Sequence, residues 1–179
     1  MFLDRDGVIN RAIVRGGRPH PPDSLQDLEI LPGVPGALAR LRAGGFLNVI
    51  VTNQPDVATG KQRRDVVQAI NAFLEKNLSV DLIKVCYHTD ADGCACRKPK
   101  PGMLQEAARE LGIDLASSYM VGDRWRDVAA AQAAGCAAIF IDCAYSEKSP
   151  DKPYVAVKSL PEAVDLILRS TDAFHKGEK

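Results

Sequence analysis

The stretch Ser118–Asp142, SYMVGDRWRDVAAAQAAGCAAIFID, decides the fold. An apolar run closes on Gly122-Asp123, an alanine-rich helical pattern follows to Gly135, and a second apolar run closes on Asp142. Runs this short, separated by one helix with a glycine just past its end, predict two parallel strands (118–123 and 137–142) joined by a crossover helix (124–135). The alternation continues outward in both directions. FLNVIVTN (46–53) and LIKVCYH (82–88) read as further strands, and the segments from Pro32, Lys61 and Pro101 read as helices ending near Gly44, Lys76 and Gly112. That order predicts the α/β class: a three-layer parallel sheet with helices on both faces. Only Met1-Phe2-Leu3 precede Asp4, so the first strand is unusually short, or the start lies inside the natural one.

A chain of 179 residues that is 46% apolar can bury one sizeable core. One domain over residues 1–170 is expected, followed by a polar tail at 171–179. The polar loops 7–31, 89–100 and 143–153 are too short to fold as a cap domain, since a domain needs about 50 residues. Lys plus Arg (23) equals Asp plus Glu (23), so no basic excess points to nucleic acid. No apolar run reaches the roughly 18 residues of a membrane span, and no signal peptide opens the chain. A cytoplasmic protein, monomeric by default and without nucleic-acid or membrane partners, is the expectation.

In an open parallel sheet, ligands bind beyond the carboxyl ends of the strands. Several predicted strands end there in polar residues: Asp4 and Asp6, Thr52-Asn53, and Asp123 with Asp127 one helical turn later. Asp4 and Asp6 sit two apart on a strand end and leave on the same side. Each Asp-Gly or Gly-Asp taken alone is as well explained by a turn. Together, three or four carboxylates in one crevice repel one another and call for a hard cation, for which Mg²⁺ is the natural choice. With Thr52, Asn53 and the ammonium of Lys98 as donors, the set suits phosphoryl chemistry, whose transition state spreads negative charge over three oxygens.

The order D-x-D-G, T-N, Lys, G-D-x-x-x-D resembles the haloacid dehalogenase (HAD) superfamily of aspartyl-phosphate phosphotransferases over nearly the whole chain, which implies a Rossmann-like, HAD-like fold. The resemblance implies Asp4 as nucleophile, Asp6 as general acid and base, and Thr52 and Lys98 as the other catalytic groups. It implies Mg²⁺ on Asp4, the Asp6 backbone carbonyl and Asp123, with Asp127 supporting. Asn53, Gln54, Arg97, Arg124 and Arg15 are the expected substrate and phosphate donors. Arg11, Arg15 and Arg18 are either cations at the crevice mouth or plain solvated surface.

Three of the five cysteines lie in CYHTDADGCACRKPKPG (86–102). Cys86, His88, Cys94 and Cys96 form a complete tetrahedral set for a structural Zn²⁺ with no position left for water. Unrelated cysteines beside a surface histidine are the bland alternative; Cys136 and Cys143 read as small core residues. A zinc loop running into C-R-K-P resembles two phosphatase groups of the superfamily, one acting on heptose 1,7-bisphosphate at its 7-phosphate and one on histidinol phosphate. CRKPKPGM and FLDRDGVIN favour the first, and the short linker TDADG the second. A catalytically idle relative using the zinc loop for binding is a third possibility. Where the heptose group usually reads T-N-Q-S-G-I-A-R-G this chain has TNQPDVATG, so Thr59 replaces an arginine; Lys61, Arg63 or Arg64 could substitute. Trp125 is either a packing residue or a platform for a sugar.

Overall fold

A computed structural model describes the backbone of residues 1–176 and the side chains through residue 169. In chain order the elements are β1 (Phe2–Leu3), β2 (Ile13–Arg15), β3 (Arg18–His20), α1 (Val34–Ala43), β4 (Val49–Asn53), α2 (Arg64–Asn77), β5 (Leu82–Cys86), a 3₁₀ turn (Asp90–Asp92), α3 (Gly102–Leu111), β6 (Tyr119–Gly122), α4 (Trp125–Ala134), β7 (Ala137–Ile141), β8 (Val155–Val157) and α5 (Leu160–Lys176). The main sheet is parallel throughout, in the order β5-β4-β1-β6-β7-β8.

Side chains alternate across that sheet, which splits the core in two. Leu3, Ile50, Val121 and Ile139 face one way, against Leu38, Ile70 and Ile167 of α1, α2 and α5. Phe2, Val49, Val51 and Met120 face the other way, against Leu104 and Ala107 of α3 and Val128 and Ala131 of α4. This is the expected three-layer α/β architecture. β1 has only two residues but pairs with β4 on one side and β6 on the other. The chain turns outward from β1 in both directions, so the crevice at its carboxyl end lies at the topological switch point.

The structure adds elements that the sequence reading left as loop or undivided chain. Residues 7–31 contain the β2–β3 hairpin, closed by Gly16 (φ 57°) and Gly17 (φ 74°). Two central residues with positive φ are what a type I′ hairpin turn requires. β8 extends the sheet beside β7, and α5 packs on the face it shares with α1 and runs to Lys176, through most of the expected tail; residues 177–179 lie outside the described residues. Among the described residues no helix is long and apolar enough to cross a membrane.

Candidate active site

Asp4 leaves the end of β1 into a crevice of about 270 Å³, also lined by Asp6, Thr52, Asn53, Arg97, Lys98 and Asp127. Lys98 is 2% exposed, and its ammonium makes all three bonds open to it. Nζ donates to Asp4 Oδ1 (2.8 Å) and to the Val51 carbonyl (2.7 Å), and lies 2.6 Å from Asp127 Oδ1. Asp127 accepts from the Arg124 backbone N–H on its other oxygen (3.0 Å).

Asp123 differs from both neighbours. It is 2% exposed, and the Tyr145 hydroxyl lies beside it, yet among the described residues neither carboxylate oxygen has a hydrogen bond of good geometry. One carboxylate oxygen from each of Asp4, Asp123 and Asp127 falls within a 4.8 Å cluster. Gly7 (φ 94°) makes the close approach possible, because a Cβ there would sit 1.8 Å from Asp123 Oδ2. A buried carboxylate with no well-formed hydrogen bond and only the Tyr145 hydroxyl beside it, next to two other carboxylates, fits a divalent cation with oxygen ligands. Asp6 does not join that cluster through its side chain. Its two oxygens accept from Arg5 Nε (3.3 Å) and Nη2 (3.0 Å), Asn10 Nδ2 (2.9 Å) and Gln54 Nε2 (2.7 Å).

Burial lifts Asp4 to about 6; Lys98 opposes that rise and Asp127 adds to it. Burial, then Asp4 and Asp127, lifts Asp123 well above the usual carboxylate range. In the unfolded chain such groups titrate near 3.9. The metal-free fold therefore binds these protons more tightly than the unfolded chain. Stability is fully present below about pH 4 and is lost as pH rises through about 6, and further where Asp123 titrates. For Asp4 alone the loss is of order 3 kcal/mol. A cation removes the repulsion, so millimolar Mg²⁺ should raise the melting temperature by about 5 °C or more at pH 7.5 and far less at pH 5. Thermal melts at the two pH values, with and without Mg²⁺, check this; equal shifts would contradict it.

The zinc-type residues also converge. Cys86 ends β5, and the 3₁₀ turn folds the loop back on it. Sγ and Nδ1 separations are 3.6 Å (Cys86–His88), 3.8 Å (Cys86–Cys94), 3.3 Å (His88–Cys96), 3.2 Å (Cys86–Cys96) and 3.4 Å (Cys94–Cys96). Ligands about 2.0–2.3 Å from a tetrahedral Zn²⁺ are separated by roughly 3.3–3.8 Å, so the donor set and its dimensions fit that ion. All five cysteines are free thiols; Cys136 is buried as expected, whereas Cys143 is exposed.

This loop is tied to the crevice by contacts invisible in the sequence. Asp90, on the 3₁₀ turn, accepts from Arg97 Nε (2.8 Å) and from both terminal nitrogens of Arg126 (3.0 and 3.1 Å). Arg97 keeps Nη1 buried and without a partner. Asn53 exchanges two bonds with the Lys98 main chain, Nδ2 to O (3.0 Å) and N to Oδ1 (3.1 Å), which leaves one amide N–H for a ligand. The Gln54 N–H donates to the Cys86 carbonyl (2.7 Å).

Some expected donors are placed elsewhere. Arg15 does not line the crevice; its guanidinium pairs with Asp23. Gln54 is buried and serves Asp6 and Thr52 Oγ1 (2.9 Å), so it positions other side chains and does not face the crevice. Arg124 lines the crevice, but its fork is taken by Glu147. Arg63 pairs with Asp65, and Arg64 stacks on Tyr87 at 4.4 Å; neither they nor Lys61 line the crevice. Trp125 packs, with Lys148 Nζ 4.0 Å and the Arg126 guanidinium 4.7 Å from its ring centroid. Sequence reasoning missed Arg5. It is fully buried, forks onto Asp6 and donates to Asn71 Oδ1 (2.9 Å). Its position inside D-R-D was the only hint.

A family model described as HAD-hydrolase-like matches residues 95–163. The D-glycero-beta-D-manno-heptose-1,7-bisphosphate 7-phosphatase of Pseudomonas aeruginosa is 35% identical over 161 residues, 86% of each chain. The enzyme of that name from Bordetella bronchiseptica is 38% identical over 170 residues, 90% of this chain and 88% of that one. The crystal structure of D,D-heptose 1,7-bisphosphate phosphatase from B. bronchiseptica, complexed with magnesium and phosphate, superposes with a TM-score of 0.80 at 32% identity, covering 95% of this chain and 98% of that one.

Proposed function

The chain belongs to the HAD-like hydrolases, and from that premise we propose that it is a Mg²⁺-dependent phosphatase that removes the 7-phosphate of D-glycero-D-manno-heptose 1,7-bisphosphate. The observation that carries the chemistry is the carboxylate centre: Asp4 on Lys98 at 2.8 Å, beside a buried Asp123 that has no well-formed hydrogen bond among the described residues. The substrate assignment is supported by relatives of that activity at 35% and 38% identity over most of both chains.

In this reading Asp4 attacks phosphorus; a bond forms from its carboxylate oxygen as the bond to the sugar oxygen breaks. Asp6 gives that oxygen its proton. Water then attacks phosphorus, Asp6 takes the proton released, and the Asp4–phosphorus bond breaks to free inorganic phosphate. The sum is heptose bisphosphate plus water to heptose 1-phosphate plus phosphate. Lys98 neutralises Asp4 and Asp127 so that a phosphate can approach. Thr52 Oγ–H, the free Asn53 N–H and Arg97 Nη1 are the donors left to hold its oxygens. Asp4, Asp123 and the Asp6 carbonyl, supported by Asp127, would hold Mg²⁺, which supplies charge neutralisation for the phosphoryl group. Zn²⁺ on the four-ligand loop has a structural part: it holds Arg97 and Lys98 in place.

The purified protein with Mg²⁺ should hydrolyse heptose 1,7-bisphosphate at least about tenfold more efficiently than histidinol phosphate or fructose 1,6-bisphosphate, one pocket contact's worth of discrimination. Phosphorus NMR should show the 7-phosphate lost and the 1-phosphate kept. A preference for histidinol phosphate would overturn the substrate assignment.

A further inference from the structure

The β2–β3 hairpin and the residue after it line the crevice with Arg18, Pro19, His20 and Pro21. One hydrogen bond tethers it there: Gln62 Nε2 donates to the Pro22 carbonyl (2.9 Å), while His20 Nδ1 lies 3.8 Å from Asp56 Oδ2 on the loop after β4, beyond hydrogen-bond distance. That loop is itself closed, since the Asp56 carbonyl accepts from the backbone N–H of Lys61 (2.8 Å) and Gln62 (3.0 Å). With two prolines and a two-glycine turn, the hairpin is a preorganised surface.

Arg18 sits directly opposite Arg15 in the hairpin ladder. Like charges facing each other across a strand pair are destabilising, and only one of these two is compensated. Arg15 takes Asp23, whereas among the described residues Arg18 has no ion-pair partner. Each of the other long cations lining the crevice has an ion-pair partner: Lys98 has Asp4 and Asp127, Arg124 has Glu147, and Arg97 and Arg126 share Asp90, with Arg97 Nη1 left for the phosphate being cleaved. Arg18 is thus an exposed guanidinium without an ion-pair partner among the described residues, on the lining of the same crevice as Asp4, Asn53 and Lys98.

We propose that Arg18 reads the second anionic group of the substrate, fixing which end of a sugar bisphosphate enters the crevice. This rests on the bisphosphate reading above and adds the residue that enforces it. A planar guanidinium with an open fork suits a phosphate, and a hydrogen bond to a charged group contributes about 1.5–3 kcal/mol, or roughly tenfold to a hundredfold in affinity.

Competition against p-nitrophenyl phosphate turnover by the intact chain tests it, using fructose 1,6-bisphosphate and fructose 6-phosphate as competitors. Arg18→Ala should weaken the bisphosphate by tenfold or more and the monophosphate by less than twofold, and Arg18→Lys should restore part of the difference. Equal weakening of both competitors, or of neither, would overturn the proposal. A wild type that ignores heptose 1,7-bisphosphate, yet prefers the fructose bisphosphate in an Arg18-dependent way, would remove the heptose assignment and leave the role of Arg18 standing.

Discussion

Asp4→Asn should lower kcat by about four orders of magnitude or more while the protein stays folded, as expected when a covalent nucleophile is removed. The amide keeps the shape of the carboxylate and can still meet the Arg5 backbone N–H and the Lys98 ammonium, now 2.8 Å from Asp4 Oδ1. What it lacks is a nucleophilic oxygen. It also removes one charge from a cluster whose burial has lifted Asp4 to about 6. The metal-free variant should therefore melt at or above the temperature of the wild type at pH 7, and its gain from Mg²⁺ should shrink. Steady-state rates with heptose 1,7-bisphosphate and parallel thermal melts check both halves. Activity within tenfold of wild type would rule out Asp4 as nucleophile; a collapsed fold would mean the residue is structural.

The second large effect concerns the loop. Cys94→Ser with Cys96→Ser should cost about 5 kcal/mol or more, since a structural zinc contributes folding free energy outright. For a chain of this size that is a fall of about 10 °C or more in melting temperature. Without the metal, buried Cys86 lies with its thiol pushed up to about 12, chiefly by burial, so it would stay protonated and could not anchor the loop. Activity should fall by about a hundredfold as well, because Arg97 and Lys98 follow Cys96 directly and small misplacements of catalytic groups are costly. Elemental analysis should find about one zinc per wild-type chain. A double variant with unchanged melting temperature would contradict a structural metal.

Much of this was legible in the chain for identifiable reasons. The β6-α4-β7 segment announces itself because the strands are buried on both faces and read as continuous apolar runs, with Gly135 (φ 79°) stopping the helix. Asp4, Asp123 and Thr52 were findable because strand ends in a parallel sheet must converge, whereas Lys98 lies on the loop between β5 and α3 and was legible from its place in the motif order. The Cys86–Cys96 set was findable because its spacing is local. What escaped depends on contacts across the fold. Arg15 and Arg18 look alike in sequence and pair across the hairpin, and only the fold shows that Arg15 meets Asp23 while Arg18 lines the crevice. Gln54 stands next to Asn53, yet its amide turns to Asp6, 48 positions away. Asp90 looked like linker, and only the fold brings Arg126 to it from 36 residues on. The hairpin and β8 were missed because three-residue strands carry too little periodicity to register.

The most direct test of the central claim, that Asp4 carries the phosphoryl group, is to trap it. Enzyme mixed with heptose bisphosphate labelled at the 7-phosphate is acid-quenched within a single turnover, reduced with borohydride and mapped by peptide mass spectrometry. The result predicted is conversion of residue 4 alone to homoserine, in the wild type and not in Asp4→Asn. Modification at Asp6 or Asp123, or no acyl phosphate under conditions where product forms, would contradict it.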